Sequence, residues 1–178
     1  MQYLQTTLND AHLIKLEPAH DSRGFFARSF DIKEFASCGL ETSFPQHSLS
    51  YSARSGTIRG MHYPLQPATE VKLVRCTRGA VHDVIVDIRP DSATYRRWEA
   101  FVLSAENRHQ LYIPKGFAHG FQTLCDDVEM SYLISAYYRP ELAAGFRYND
   151  PTFAINWPLS VTKISDKDLH WPDFTREA

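Results

Sequence analysis

From Thr57 to Tyr138 the chain alternates apolar and polar residues with a period of two, the pattern of strands that bury one face. In Glu70–Cys76 the alternation sets Lys72 on the same face as Val74. In Ala80–Arg89 it puts Val84, Val86 and Ile88 on one face and Asp83 and Asp87 on the other. Phe101 shares a face with Leu103, Leu111 with Ile113, and Met130, Tyr132, Ile134 and Tyr138 line up together. Turn-forming runs at Arg78-Gly79, Arg89-Pro90-Asp91, Ala105-Glu106-Asn107 and Asp126-Asp127 recur at the spacing of an antiparallel sandwich or jelly roll.

Upstream, residues 12 to 16 read as a strand ended by Pro18, and a turn at Asp21–Gly24 leads into an aromatic strand. Asp31 is placed to cap a short helix, with Glu34 completing a capping box and Gly39 as the stop. Residues 44 to 52 are extended and polar. The tail TKISDKDLHWPDF predicts one short helix carrying Asp166 and Asp168, which that helix has reason to hold as caps alone. The fold class is mostly β with little helix.

A chain of 178 residues supports one well-buried core, and without repeats or linker-like stretches it reads as a single domain over 1–178. A net charge of −2 gives no case for nucleic acid or a membrane surface as partner. No apolar run approaches the ~18 residues that cross a bilayer, and the start lacks the pattern of a signal peptide. Cys38, Cys76 and Cys125 are odd in number and far apart, as free thiols in a reducing cytoplasm would be. Eleven Phe and nine Tyr suit a sheet-rich fold around a small-molecule pocket.

The unusual chemistry lies between Gly56 and Arg75, where Arg59, His62, Glu70 and Lys72 sit among strand-type residues and Pro turns. Such groups are costly to bury. A second stretch, residues 111 to 121, sets His119 between Phe117 and Phe121. These two stretches are expected to form facing walls of one pocket. Taken singly, His119 reads equally as a satisfied core histidine, Tyr132 as an ordinary inward tyrosine, and Arg59 and Arg23 as solvated charges. Lys72 in mid-strand is harder to dismiss, because snorkelling suits an edge better than a central strand.

Pro114, Gly116 and His119 after a strand, with His62 and Glu70 upstream, resemble the two motifs of the cupin jelly roll. One imidazole of the usual metal set is missing, since the first motif reads His62-Tyr63-Pro64. A metal-dependent cupin using His62, Glu70 and His119 stays open as an alternative. Lys72 beside such an ion disfavours it, so a metal-free pocket is expected.

The runs DSRGFF, TIRGMHY, KLVRCTRGAVHDVIVDIRPDS, IPKGFAHGF, YNDP and ISDKD together resemble the dTDP-4-dehydrorhamnose 3,5-epimerase family over nearly the whole chain. That resemblance implies a cupin-type antiparallel jelly-roll sandwich, a homodimer with exchanged strands, a nucleotide diphosphate sugar substrate, and no metal or organic cofactor. It implies His62 as base, Asp168 as its buried carboxylate, Lys72 on the C4 oxygen and Tyr132 as the opposing acid. It also implies Arg59 and His119 near the sugar or phosphates, Arg23 and Gln46 on the nucleotide, and Tyr138 packed against it. Inverting a carbon beside a ketone needs such a set: a base, a donor on the other face and a group holding the enolate oxygen. An imidazole suits the base at neutral pH. Arg28, Ser48 and Ala143 or Ala144 depart from the family pattern of Glu, Asn and an acidic residue, and bear on nucleotide or hexose preference. A non-catalytic sugar-nucleotide-binding protein is the remaining alternative, and it gives no reason for the His, Lys and Tyr set.

Overall fold

A computed structural model describes residues 1–175, so 176–178 of the expected domain lie outside the described residues. In chain order the elements are β1 (Gln2–Gln5), β2 (His12–Lys15), β3 (Ala19–Asp21), β4 (Gly24–Phe26), α1 (Ile32–Ser37), β5 (Gln46–Ser52), β6 (Ile58–Pro64) and β7 (Lys72–Arg78). There follow β8 (Ala80–Asp87), β9 (Trp98–Ser104), β10 (Gln110–Ile113), β11 (Phe117–Thr123), β12 (Val128–Ile134), a 3₁₀ turn (Pro140–Leu142), β13 (Ala143–Gly145) and α2 (Asp166–Leu169).

Two antiparallel sheets stack as a jelly-roll sandwich. One has the order β1-β2-β10-β7-β12-β5 and the other β13-β6-β11-β8-β9, while β3 and β4 form a separate hairpin. Between the sheets, Val74, Ile85, Leu103, Leu111, Phe121 and Met130 pack as the main core. A second cluster covers the outer face of the five-stranded sheet, where Val84 and Val86 meet Phe146 and Phe153. A third sits under α1 on the outer face of the other sheet, around Phe35, Leu73 and Tyr112. Strand β8 is therefore apolar on both faces, which explains its near-continuous hydrophobic run. Asp83 and Asp87 share its inner face and are fully buried. Burial of these carboxylates is tolerable because each has partners: Asp83 faces His119, and Asp87 accepts from Arg89, Ser92 and Thr94.

Asp31 caps α1 as expected, its Oδ1 accepting from the backbone N–H groups of Lys33 and Glu34. No return bond from the Glu34 side chain to the Asp31 N–H is seen. The Glu34 carboxylate instead takes the N-terminal ammonium at 3.3 Å and the Tyr3 hydroxyl at 3.4 Å. Gly39 ends the helix at a positive φ of 70°. The predicted tail helix is α2, with Ser165 capping it through the Asp168 N–H.

The two polar stretches are not facing walls. Each crosses from one sheet to the other: β6 and β11 are hydrogen-bonded neighbours in the five-stranded sheet, while β7 and β10 are neighbours in the six-stranded one. The walls that face across the sandwich are β6 with β11 on one side and β7 with β12 on the other.

Candidate active site

Strict alternation along β6 would point Arg59 and His62 to opposite faces. Both line the same cavity because the β6–β11 ladder is irregular at Gly60, between the His62–His119 and Arg59–Phe121 pairings. Gly60 has φ of 122°, and a Cβ there would stand 2.6 Å from Gly120 Cα. Two bare backbones thus approach closely, and the strand bends to present both side chains inward.

The carboxylate that meets His62 comes from beyond the sandwich. After β13 the chain returns along the five-stranded sheet; the Ile58 N–H donates to Lys163 O at 2.9 Å, and α2 then projects Asp168 into the site. His62 Nε2 lies 2.7 Å from Asp168 Oδ1, so the ring donates from Nε2 and leaves Nδ1 to accept a proton. The Gly60 N–H donates to Oδ2 at 3.2 Å and the Trp171 indole N–H to Oδ1 at 3.3 Å. Burial pushes the Asp168 carboxyl upward, but these donors, His62 foremost, outweigh it and hold the group below its ordinary range.

The opposite wall carries Lys72 and Tyr132. They lie on adjacent strands, Tyr132 paired with Val74 and Ile134 with Lys72, so both face the cavity from the six-stranded sheet. Lys72 Nζ is 2.9 Å from Glu70 Oε1, both side chains being mostly buried. Among the described residues the Tyr132 hydroxyl reaches only Ser50 Oγ, at 3.1 Å. Burial raises the pKa of its phenol far more than the Ser50 contact lowers it. The phenol keeps its proton throughout the physiological range.

His119 and Arg59 complete the interior. His119 is buried, with Nε2 3.0 Å from both oxygens of Asp83. Arg59 spans the gap between the sheets, donating to Ser52 Oγ at 3.0 Å and Tyr51 O at 2.7 Å on β5. The cavity they line encloses about 490 Å³. A second lobe of about 250 Å³ shares His62, Lys72 and Ile134 with it and opens toward Tyr138.

The nucleotide-side predictions are more scattered. Gln46 Oε1 accepts from the Tyr138 N–H at 2.7 Å, which holds these two together at the outer lobe. Arg23 is 88 % exposed on the β3–β4 turn, paired with Asp21, and does not line the cavity of its own chain. Of the departing positions, Ser48 lines the inner lobe, Ala143 and Ala144 the outer one, and Arg28 lies 3.7 Å from Asp31. The alternative metal set is divided, Glu70 to Lys72 and His119 to Asp83, and no metal-holding cluster of three His, Cys, Asp or Glu exists among the described residues. Sequence reasoning missed Asp83, Ser50 and Trp171 as partners. Only Asp83, an acidic residue in a β-branched run, left any trace in the pattern.

A proton acceptor on one sheet and a proton-bearing phenol on the other, with a cation beside them, make this jelly roll an acid–base catalyst suited to a carbon acid. Residues 5–176 match the sequence model of the dTDP-4-dehydrorhamnose 3,5-epimerase family. The protein of that name from Sinorhizobium fredii is 42 % identical over 173 residues, covering 97 % of this chain and 89 % of the relative. The Bacillus anthracis dTDP-4-dehydrorhamnose 3,5-epimerase, crystallised with TDP and PPi bound, has a TM-score of 0.94 at 41 % identity, with 97 % of this chain and 99 % of that one covered. The Legionella pneumophila enzyme in complex with dTDP-4-keto-L-rhamnose has a TM-score of 0.87 at 37 % identity, with 98 % of each chain covered. The chain belongs to the dTDP-4-dehydrorhamnose 3,5-epimerase family and is an epimerase.

Proposed function

We propose that the chain, as one domain, converts dTDP-4-dehydro-6-deoxy-D-glucose to dTDP-4-dehydro-L-rhamnose by inverting C3 and C5. The observation that carries this is the placement of His62 and Tyr132 on opposite sheets of one cavity. Nδ1 of His62 removes the proton alpha to the C4 ketone, and Asp168 stabilises the imidazolium that forms. Lys72 holds the enolate oxygen, a contact of a kind worth about 3–4 kcal/mol in the transition state. Tyr132 returns a proton from the other face, typically a gain of about 10²–10⁴-fold. These steps use side chains alone and call for no cofactor.

Arg59 and His119 take the sugar or its phosphates, and Gln46 and Tyr138 the nucleotide. Arg suits a diphosphate because its fork binds two oxygens at once. Arg23 reaches a nucleotide only from a neighbouring chain. The hairpin that carries it also exposes Phe25 and Phe26, at 46 % and 72 %, which supports a homodimer. Among the described residues no helix is long and apolar enough to cross a membrane, and a cytoplasmic site fits the three unpaired cysteines.

Proton NMR of dTDP-4-dehydro-6-deoxy-D-glucose with the enzyme in deuterated buffer tests the reaction. Deuterium should enter at C3 and C5 as the new epimer appears. Label at one carbon only would restrict the activity to that centre, and no label at all would remove the proposal.

A further inference from the structure

Trp171 lines the outer lobe of the site, against β13. Its indole N–H donates to the Asp168 oxygen that also accepts from His62, at 3.3 Å against 2.7 Å. The ring lies where it does because β13 offers bare backbone: a Cβ at Gly145 would stand 2.6 Å from the indole nitrogen. Lys167 Nζ rests 5.1 Å from the ring centroid. Just beyond, the tail is pinned. The Arg147 N–H donates to Pro172 O, the Arg147 side chain pairs with Asp173, the Phe174 N–H donates to Asp150 Oδ2, and the Phe174 ring packs on Phe146 and Phe153. The residues that follow the indole are thus anchored to the body of the fold through contacts outside α2.

We propose that Trp171 is a positioning residue of the His62–Asp168 pair, fixing the Asp168 carboxylate and drawing part of its charge away from the His62 imidazole. An oxygen shared between two donors stabilises an imidazolium less than one devoted to it. Trp171 therefore competes with His62 for the charge of one Asp168 oxygen. Other charged groups face the site as well: Arg59 on β6, Lys72 with Glu70 beside it, His119 on β11, Arg139 after β12, Lys163 before α2 and Lys167 on it. Of these only His119 is another imidazole, and its carboxylate partner is Asp83 on β8. It serves as an internal reference.

The kinetic consequence rests on the epimerase reading, but the pairing itself can be read without substrate. Imidazole resonances of the full chain, labelled with ¹⁵N in histidine, would be titrated by NMR for wild type and Trp171→Phe from about pH 5 to 9. The His62 midpoint should rise by roughly half a pH unit while that of His119 stays. In active enzyme the acid limb of kcat/KM should move with it. A His62 midpoint that is unchanged or lowered in a folded variant would overturn the proposal, whatever the activity. Should Trp171→Phe fail to fold, site-specific benzothienylalanine keeps the ring outline, replaces N–H by sulfur, and must give the same upward movement. Failure of the epimerase reading would show instead as absent turnover in wild type with this titration difference intact.

Discussion

Glu70 Oε1 lies 2.9 Å from Lys72 Nζ, with the two side chains only 21 % and 14 % exposed. The ammonium is thereby aimed across the cavity by a carboxylate two residues before the strand that Lys72 begins. Lys72→Met should lower kcat by about 10²–10³-fold, the usual loss for an oxyanion donor. It should also cost about 1–2 kcal/mol of stability, because a mostly buried carboxylate is left without its partner. Adding Glu70→Gln should recover the stability and none of the rate. Denaturant melts beside steady-state assays check both halves.

Tyr132→Phe removes the proton donor and leaves the base in place. Solvent deuterium should still wash into the substrate, while epimerised product forms about 10²–10⁴-fold more slowly. Equal loss of exchange and inversion would take the acid's role away from Tyr132.

Asp168 is held below its ordinary range, so its contribution to stability is present above the unfolded carboxyl value, near 3.9, and lost as pH falls through the folded one. Asp168→Asn should abolish turnover at neutral pH. Its unfolding free energy should also fall less steeply than that of wild type as solutions are acidified below about pH 4.

His82 has the opposite chemistry. Burial against Trp157 lowers its pKa, and its Nε2 finds no partner among the described residues. The unfolded chain binds the proton more readily than the fold, so stability should drop as pH falls below about 6.5, the ordinary imidazole value. In His82→Phe that slope should flatten between about pH 6.5 and 5, as seen by thermal melts.

Gly60→Ala places a methyl group 2.6 Å from Gly120 Cα and 2.9 Å from His119 O, at a φ that L residues rarely adopt. A loss of about 2–3 kcal/mol is expected. Because the bend there is what turns Arg59 and His62 the same way, activity should fall further than the melting temperature alone predicts.

Local patterning was enough to place most strands. Val84 and Val86 against Ile85, or Phe101 with Leu103, are period-two features that a single window reveals. It could not show that β6 bends at Gly60, since that irregularity depends on Gly120 some sixty residues away. For the same reason the two polar stretches were misread as opposing walls: which strands pair is a non-local choice. The base and its carboxylate are more non-local still, His62 and Asp168 being 106 residues apart, and the family resemblance alone joined them. The capping box failed at Glu34 for a simple reason: the N-terminal ammonium offered its carboxylate a charged partner.

The segment bearing Asp168 follows every strand in chain order, and it joins the five-stranded sheet through an isolated bridge between Thr57 and Lys163. A ribosome can therefore have completed the whole β framework before the buttress for His62 exists. Synthesis and competence are thereby separated in time: the strands are all made before the residue that completes the proton-accepting dyad.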